Sequence, residues 1–251
     1  MIYQMRKIIL RVQGGFANRL RAIVSAVLWA QDIDATLEIF WPVEVGHMPC
    51  KLDDLIDSRS IDRLTYVHNG YLSRAHQILN ADDMRTVMSL GEEIRIESYS
   101  EFHDDLVSRS VRGLEALRKI RVMKYLEDIA ETFCLVNPIG IHIRRTDHVK
   151  CIKASPLEAF MECVKGVLEE RGDAKFYLAT DEIAVKNMFI SRWGDAIVSP
   201  ITSLGRRSIE QQQNGIIEWL LLQKCSKIYA SAGSSFSELA ALRAGIPLVN
   251  V

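Results

Sequence analysis

Residues 139–148 read IGIHIRRTDH. An apolar run of the kind that forms a buried strand ends here on His142, Arg144 and Arg145. Arginine is rarely buried without a partner, so this strand end is expected to meet an anion. Between positions 142 and 153 lie His142, Arg144, Arg145, His148, Lys150 and Lys153, with Asp147 as the one acid among them. Side chains alternate along a strand, so His142 and Arg144 share a face. A guanidinium presents a planar fork of donors that fits phosphate oxygens, which makes Arg144 the primary anion contact. The structural alternative, stronger for Arg145, is an arginine pair bracing its own loop together with Asp147.

Three further stretches put small or polar residues at expected strand ends: QGGFANR (13–19), LATDE (178–182) and SAGSSFSE (231–238). In open parallel sheets ligands bind beyond the carboxyl ends of the strands. SAGSSFSE opens a helix, where unpaired N–H groups and the helix dipole favour an anion near Gly233 and Ser234. Ser235 and Glu238 also have the S-x-x-E spacing of a capping box, which accounts for Glu238 without a ligand. Asp181 is either a cap for the next helix or a site residue. Glu218 interrupts the apolar run GIIEWLLL (215–222). A lone carboxylate there needs either solvent or a donor pair such as the N1–H and N2–H₂ of guanine.

Other chemistries lack their signatures. The Gly14-Gly15 turn is not G-x-G-x-x-G, and neither a G-x-x-x-x-G-K-[ST] loop nor a serine nucleophile elbow is present. The acidic triplet Asp32-Ile33-Asp34 falls at a helix end before a strand, which reads as turn chemistry; no metal site is expected. A net charge of −1 excludes the basic excess of a non-specific nucleic-acid binder. The five cysteines are scattered, odd in number and without C-x-x-C spacing, as in a reduced, cytoplasmic protein. No apolar run approaches the ~18–20 residues of a membrane span.

These motifs need elements to hold them. Residues 8–12, the helical spacing of Leu20, Ile23, Val24, Val27 and Leu28, and TLEIFW before Pro42 make a strand, helix and strand, hence a parallel pair. Between 43 and 104 the pattern allows a short helix and two strands, with 71–90 loosely helical, and 109–134 reads as helix. From Asn137-Pro138 onward, strands and helices alternate regularly to a doubly wound sheet. Ser155-Pro156-Leu157-Glu158 reads as a capping box, Ser208 with Gln211 as another, and Gly245 as a helix stop. The sequence ends on the strand IPLVNV, which reads as a domain cut from a longer chain or a minimal version of a larger fold.

In chain order, GGFANR, HIRRTDH, FYLATDE and SSFSELA resemble the fucosyltransferase superfamily, which includes α1,2- and α1,6-fucosyltransferases, the rhizobial chitooligosaccharide enzyme and protein O-fucosyltransferases. The likeness covers the first 40 residues and most of 137–245. It implies a GT-B-like α/β fold of two Rossmann-type domains with parallel sheets, an acceptor-side domain over 1–133 and a doubly wound nucleotide-sugar domain over 134–251. It implies inverting, metal-independent transfer of L-fucose from GDP-fucose to a glycan or glycoprotein hydroxyl, with no cofactor beyond the donor. Carried over, Arg144 resembles the arginine on the β-phosphate, His142 and Glu218 the guanine-side contacts, and Ser234 and Ser235 phosphate contacts. Asn18 and Arg19 match the glycine-turn positions facing the cleft; Gly14, Gly15, Arg145, Asp181 and Gly233 complete the donor set. Arg144, Asp147 and His148 are the catalytic candidates. The α1,6 enzymes carry an acid just past H-x-R-R-x-D, whereas HVKCIKAS (148–155) has none, so the base stays open among Asp147, His148 and Asp181. The alternatives are another nucleotide-sugar donor, a non-catalytic nucleotide-sugar or glycan-binding domain, and a plain Rossmann-like interaction module.

Overall fold

The computed structural model describes residues 6–70, 72–89, 91–134, 136–146 and 149–251. Its contacts divide into two compact units, residues 1–124 and 125–251, and each is built on a parallel five-stranded sheet.

In the first unit, β1 (Lys7–Val12) runs into α1 (Phe16–Asp32) and on to β2 (Thr36–Phe40). Thirteen of the seventeen α1 residues are buried, so this helix is a core element rather than an amphipathic cover. Then come β3 (Leu64–His68), β4 (His76–Gln77), α2 (Ala81–Met88), β5 (Glu93–Ser98) and α3 (Val111–Lys119). The sheet order is β3-β2-β1-β5-β4, every pair parallel. The stretch 71–90, expected to be loosely helical, keeps only α2 and gives two residues to an edge strand. The helix expected across 109–134 is two helices. Ile120 closes α3 with an extended backbone, and Val122 forms an antiparallel bridge with Ile56, so the chain cannot continue as helix there.

The second unit holds α4 (Lys124–Thr132), counted here for all but its first residue, followed by β6 (Ile139–Ile143), α5 (Val149–Ala154) and α6 (Leu157–Glu170). β7 (Phe176–Thr180), α7 (Ile183–Trp193), β8 (Ile197–Val198), α8 (Ile209–Leu222), β9 (Lys227–Ala230), α9 (Ser235–Ala244) and β10 (Leu248–Asn250) complete it. The order β10-β9-β6-β7-β8 is the doubly wound arrangement, all parallel. Ile139, Ile141 and Ile143 of β6 pack with Phe160 and Val164 of α6 and Phe189 of α7 on one face. α8 and α9 cover the other. There a Cβ on Gly140 would lie 3.1 Å from Cys225 Sγ and from Ile228 Cγ1, closer than side chains usually pack, so those neighbours would have to give way. α9 ends on Gly245 in the left-handed region at φ 72°, as the sequence requires.

Ser208 caps α8 by accepting the Gln211 N–H. Ser155 does not cap α6 as its spacing suggests: Pro156 occupies the N-cap, and the Ser155 hydroxyl bonds elsewhere. Among the described residues no helix is long and apolar enough to cross a membrane.

Candidate functional site

In the second unit, β6 leads to β7 and β8 on one side, while β9 and β10 lie on the other. Connections leaving β6 and β9 diverge, and their carboxyl ends bound the crevice typical of nucleotide sites. Ser231, the first residue past β9, stitches the two strand ends together. Its N–H donates to the His142 carbonyl at 3.0 Å, and its Oγ accepts the Arg144 N–H at 3.1 Å. On the other flank, Asp181 accepts the Arg145 N–H and the Thr146 hydroxyl, each at 2.7 Å. The backbone carrying Arg144 is thus held from both neighbouring strands, and its side chain is half-buried at the strand end.

Arg145 points differently. Its Nη2 donates to the Ser155 carbonyl at 2.8 Å and its Nη1 to the Ile152 carbonyl at 3.4 Å, tying down the end of α5.

Beside this loop several buried polar atoms have no hydrogen-bond partner among the described residues. His142 is buried against Phe236, ring centroids 5.1 Å apart, with Nδ1 unbonded. Burial pushes its pKa down to about 4 against the opposing charge of Asp181, so the imidazole is neutral at ordinary pH. Ser234 is the N-cap of α9, one position before the serine of the S-x-x-E pattern, yet its Oγ makes no capping bond and is buried without a partner. Glu218 on α8 is partly buried, but its Oε1 is enclosed and unbonded. Burial lifts its carboxyl to about 8, with Lys186 opposing and Asp181 adding to the shift. The Tyr177 hydroxyl, which senses the Glu218 charge, is likewise buried and unbonded. Lys186 is buried and gives its ammonium to the Ile201 carbonyl. Native proteins leave few such groups unpaired, their partners being protein or ordered water, so these atoms are the ones a ligand or water would satisfy.

The first unit has its own switch point between β1 and β5, where the glycine turn lies. Gly14 sits at φ 76°, and a Cβ there would press on Asn18 Nδ2 at 3.1 Å. Gly15 is the N-cap of α1, with no side-chain bond possible. Arg19 is fully buried: Nε donates to the Gly14 carbonyl at 2.8 Å, Nη1 to the Pro42 carbonyl at 2.9 Å, and the guanidinium lies 4.5 Å over the Trp41 ring. These bonds brace the glycine turn.

The sequence-selected residues thus fall into two sets. His142, Arg144, Arg145, Asp181, Glu218, Gly233, Ser234 and Ser235 belong to the second unit, and Gly14, Gly15, Asn18 and Arg19 to the first. Asp147 and His148 lie outside the described residues. Ser231, Phe236, Tyr177 and Ser155 were not singled out for the site by sequence. Tyr177 carried a usable signal, a phenol hydroxyl between the apolar Phe176 and Leu178 of a fully buried strand. The acidic triplet is structural: Asp32 bonds His103 and Arg112, and Asp34 bonds Arg63. Among the described residues no group of three or more His, Cys, Asp or Glu side chains is placed to hold a metal.

Two parallel five-stranded sheets, each with a switch point, make a Rossmann-type α/β protein, and its fold is similar to that of solved fucosyltransferases. The chain superimposes on the NodZ α-1,6-fucosyltransferase soaked with GDP-fucose with a TM-score of 0.66 at 17% identity, covering 98% of this chain and 95% of that one. NodZ from Bradyrhizobium gives 0.67 over 94% and 91% at 17% identity. The Arabidopsis thaliana FUT1 mutant in complex with GDP gives 0.67 at 12% identity over 98% and 70%. No protein-family model and no curated protein matches the sequence.

Proposed function

We propose that the chain is an inverting glycosyltransferase that moves L-fucose from GDP-fucose to a hydroxyl of a glycan or glycoprotein, without a metal. The observation that carries this reading is the set of buried, unbonded polar atoms on His142, Glu218 and Ser234 next to the Arg144 loop. The fold it shares with proteins solved with GDP or GDP-fucose supports the choice of nucleotide.

In this reading residues 134–251 bind the donor and residues 1–133 face the acceptor. The Glu218 carboxylate accepts from guanine N1–H and N2–H₂, and the His142 ring borders the base. Arg144, with Gly233, Ser234 and Ser235 at the start of α9, holds the diphosphate. The acceptor oxygen attacks the anomeric carbon as the bond from that carbon to the β-phosphate oxygen breaks, and GDP leaves with the electron pair. Charge growing on the diphosphate is met by Arg144 and the helix start, preorganised donors of the kind that stabilise a transition state most. The acceptor proton goes to a base near the crevice. Asp181 is an unsuitable base because both its oxygens are engaged by the 145–146 loop, which leaves Asp147 and His148. The free thiols of Cys50, Cys134, Cys163 and Cys225 accord with a cytoplasmic location.

The test has two stages. A thermal-shift series with GDP, UDP, GMP and guanosine should show stabilisation by GDP above UDP. Incubation with GDP-fucose and a panel of oligosaccharides should then yield a β-to-α inverted product with EDTA present. Binding of GDP without transfer or hydrolysis would favour the non-catalytic domain instead, and no response to any nucleotide would remove the donor site altogether.

A further inference from the structure

We infer that Ser155 is a positioning residue that holds the diphosphate-binding turn open between β9 and α9; this rests on the donor reading above. Ser155 is fully buried and takes no part in capping α6. Its Oγ accepts the Ala232 N–H at 2.8 Å, and its carbonyl accepts the Arg145 guanidinium at 2.8 Å. One residue thereby joins the loop after β6 to the loop after β9, the two sides of the crevice.

The consequence lies in the donors that remain. Ala232 N–H is spent on Ser155 and Ser234 N–H on the Ser231 carbonyl. Between them Gly233, exposed and at φ 74°, has no acceptor for its N–H among the described residues, and the buried Ser234 Oγ is unbonded among them. Fixing Ala232 aligns these two for an anion. Without the Ser155 hydroxyl, the Ala232 N–H is released and the turn can relax toward closing on itself. The loss then falls on the phosphates and spares the base, which is held by other elements.

Calorimetric titration of wild type and Ser155→Ala with GDP and with guanosine separates these effects. Losing one net hydrogen bond from the turn predicts about a five- to tenfold weaker GDP affinity, with guanosine affinity unchanged. Equal weakening of both ligands, or unchanged GDP affinity, overturns the inference. Should the variant fail to fold, hydrogen exchange in the ligand-free wild type decides: the Ala232 amide must be protected, and a freely exchanging amide overturns the strut. A wild-type protein that binds neither ligand instead strikes at the donor reading, while the Ala232 exchange result still reports on the strut.

Discussion

The β1/β5 crevice of the first unit and the β6/β9 crevice of the second start from similar material: a central strand, a tight turn and an arginine within a few residues. They use it oppositely. In the first, Arg19 gives two of its nitrogens to carbonyls and its face to the Trp41 ring, while Nη2, buried without a hydrogen bond, lies 3.9 Å from a Glu44 carboxylate oxygen. In the second, Arg145 does that bracing work, while His142, Glu218 and Ser234 keep buried atoms unbonded. An arginine beside a turn is therefore either a brace or a ligand contact, and only the surrounding acceptors decide which.

The largest effect should come from Arg144, the diphosphate contact of the proposed mechanism. Arg144→Ala is expected to lower the turnover of GDP-fucose by about 10²–10³-fold with an unchanged melting temperature. Steady-state kinetics beside thermal unfolding would check it, and near-normal turnover would erase the contrast. Arg19→Ala should do the reverse, costing roughly 2–3 kcal/mol of stability through two orphaned buried carbonyls. Urea unfolding should register that loss while the GDP affinity of the folded variant stays close to wild type.

Glu218 sharpens the comparison through pH. Its folded pKa of about 8 lies above the ordinary 4.5, so the folded protein holds a proton that the unfolded chain has released. The stability this provides is complete below about 4.5 and is lost as pH rises to about 8. His142, lowered to about 4 from 6.5, acts with opposite sign: its contribution is present above 6.5 and is lost as pH falls through 4. The two oppose each other between 4.5 and 6.5. From 6.5 to 8 the Glu218 effect stands alone, at most about 1.4 kcal/mol per pH unit and less given the residue's partial exposure. Melting curves should therefore fall across that window in wild type and stay flatter in Glu218→Gln. GDP binding, which calls for the carboxylate, should release a proton below pH 8, detectable as a buffer-dependent binding enthalpy. The smallest change is expected from Asp181→Asn, about 1 kcal/mol in GDP affinity from a loosened 145–146 loop.

Much of the second unit was legible in the sequence because β6 and β7 are buried on both faces and its turns carry glycine or hydroxyl punctuation. Ile139–Ile143 and Phe176–Thr180 read as strands for that reason. The first unit resisted between 43 and 104 because β4 is two residues long and Leu52–Asp54 and Ser58–Ser60 are only short 3-10 turns, too brief for any periodicity. Ser155 misled because S-P-L-E satisfies a local capping rule, whereas a partner 77 positions away won the hydroxyl. Which polar atoms stay unbonded depends on such distant pairings, and no spacing along the chain reveals them.

Ser231 couples the mouth of the crevice to the sheet itself, since its amide extends the β6–β9 ladder by one rung and its hydroxyl anchors the residue after. Prising that end apart would mean unzipping strands. Capture of a nucleotide there, as proposed, would need no preceding melting of the fold, and its association rate should track ionic strength while urea at sub-denaturing concentrations has almost no influence.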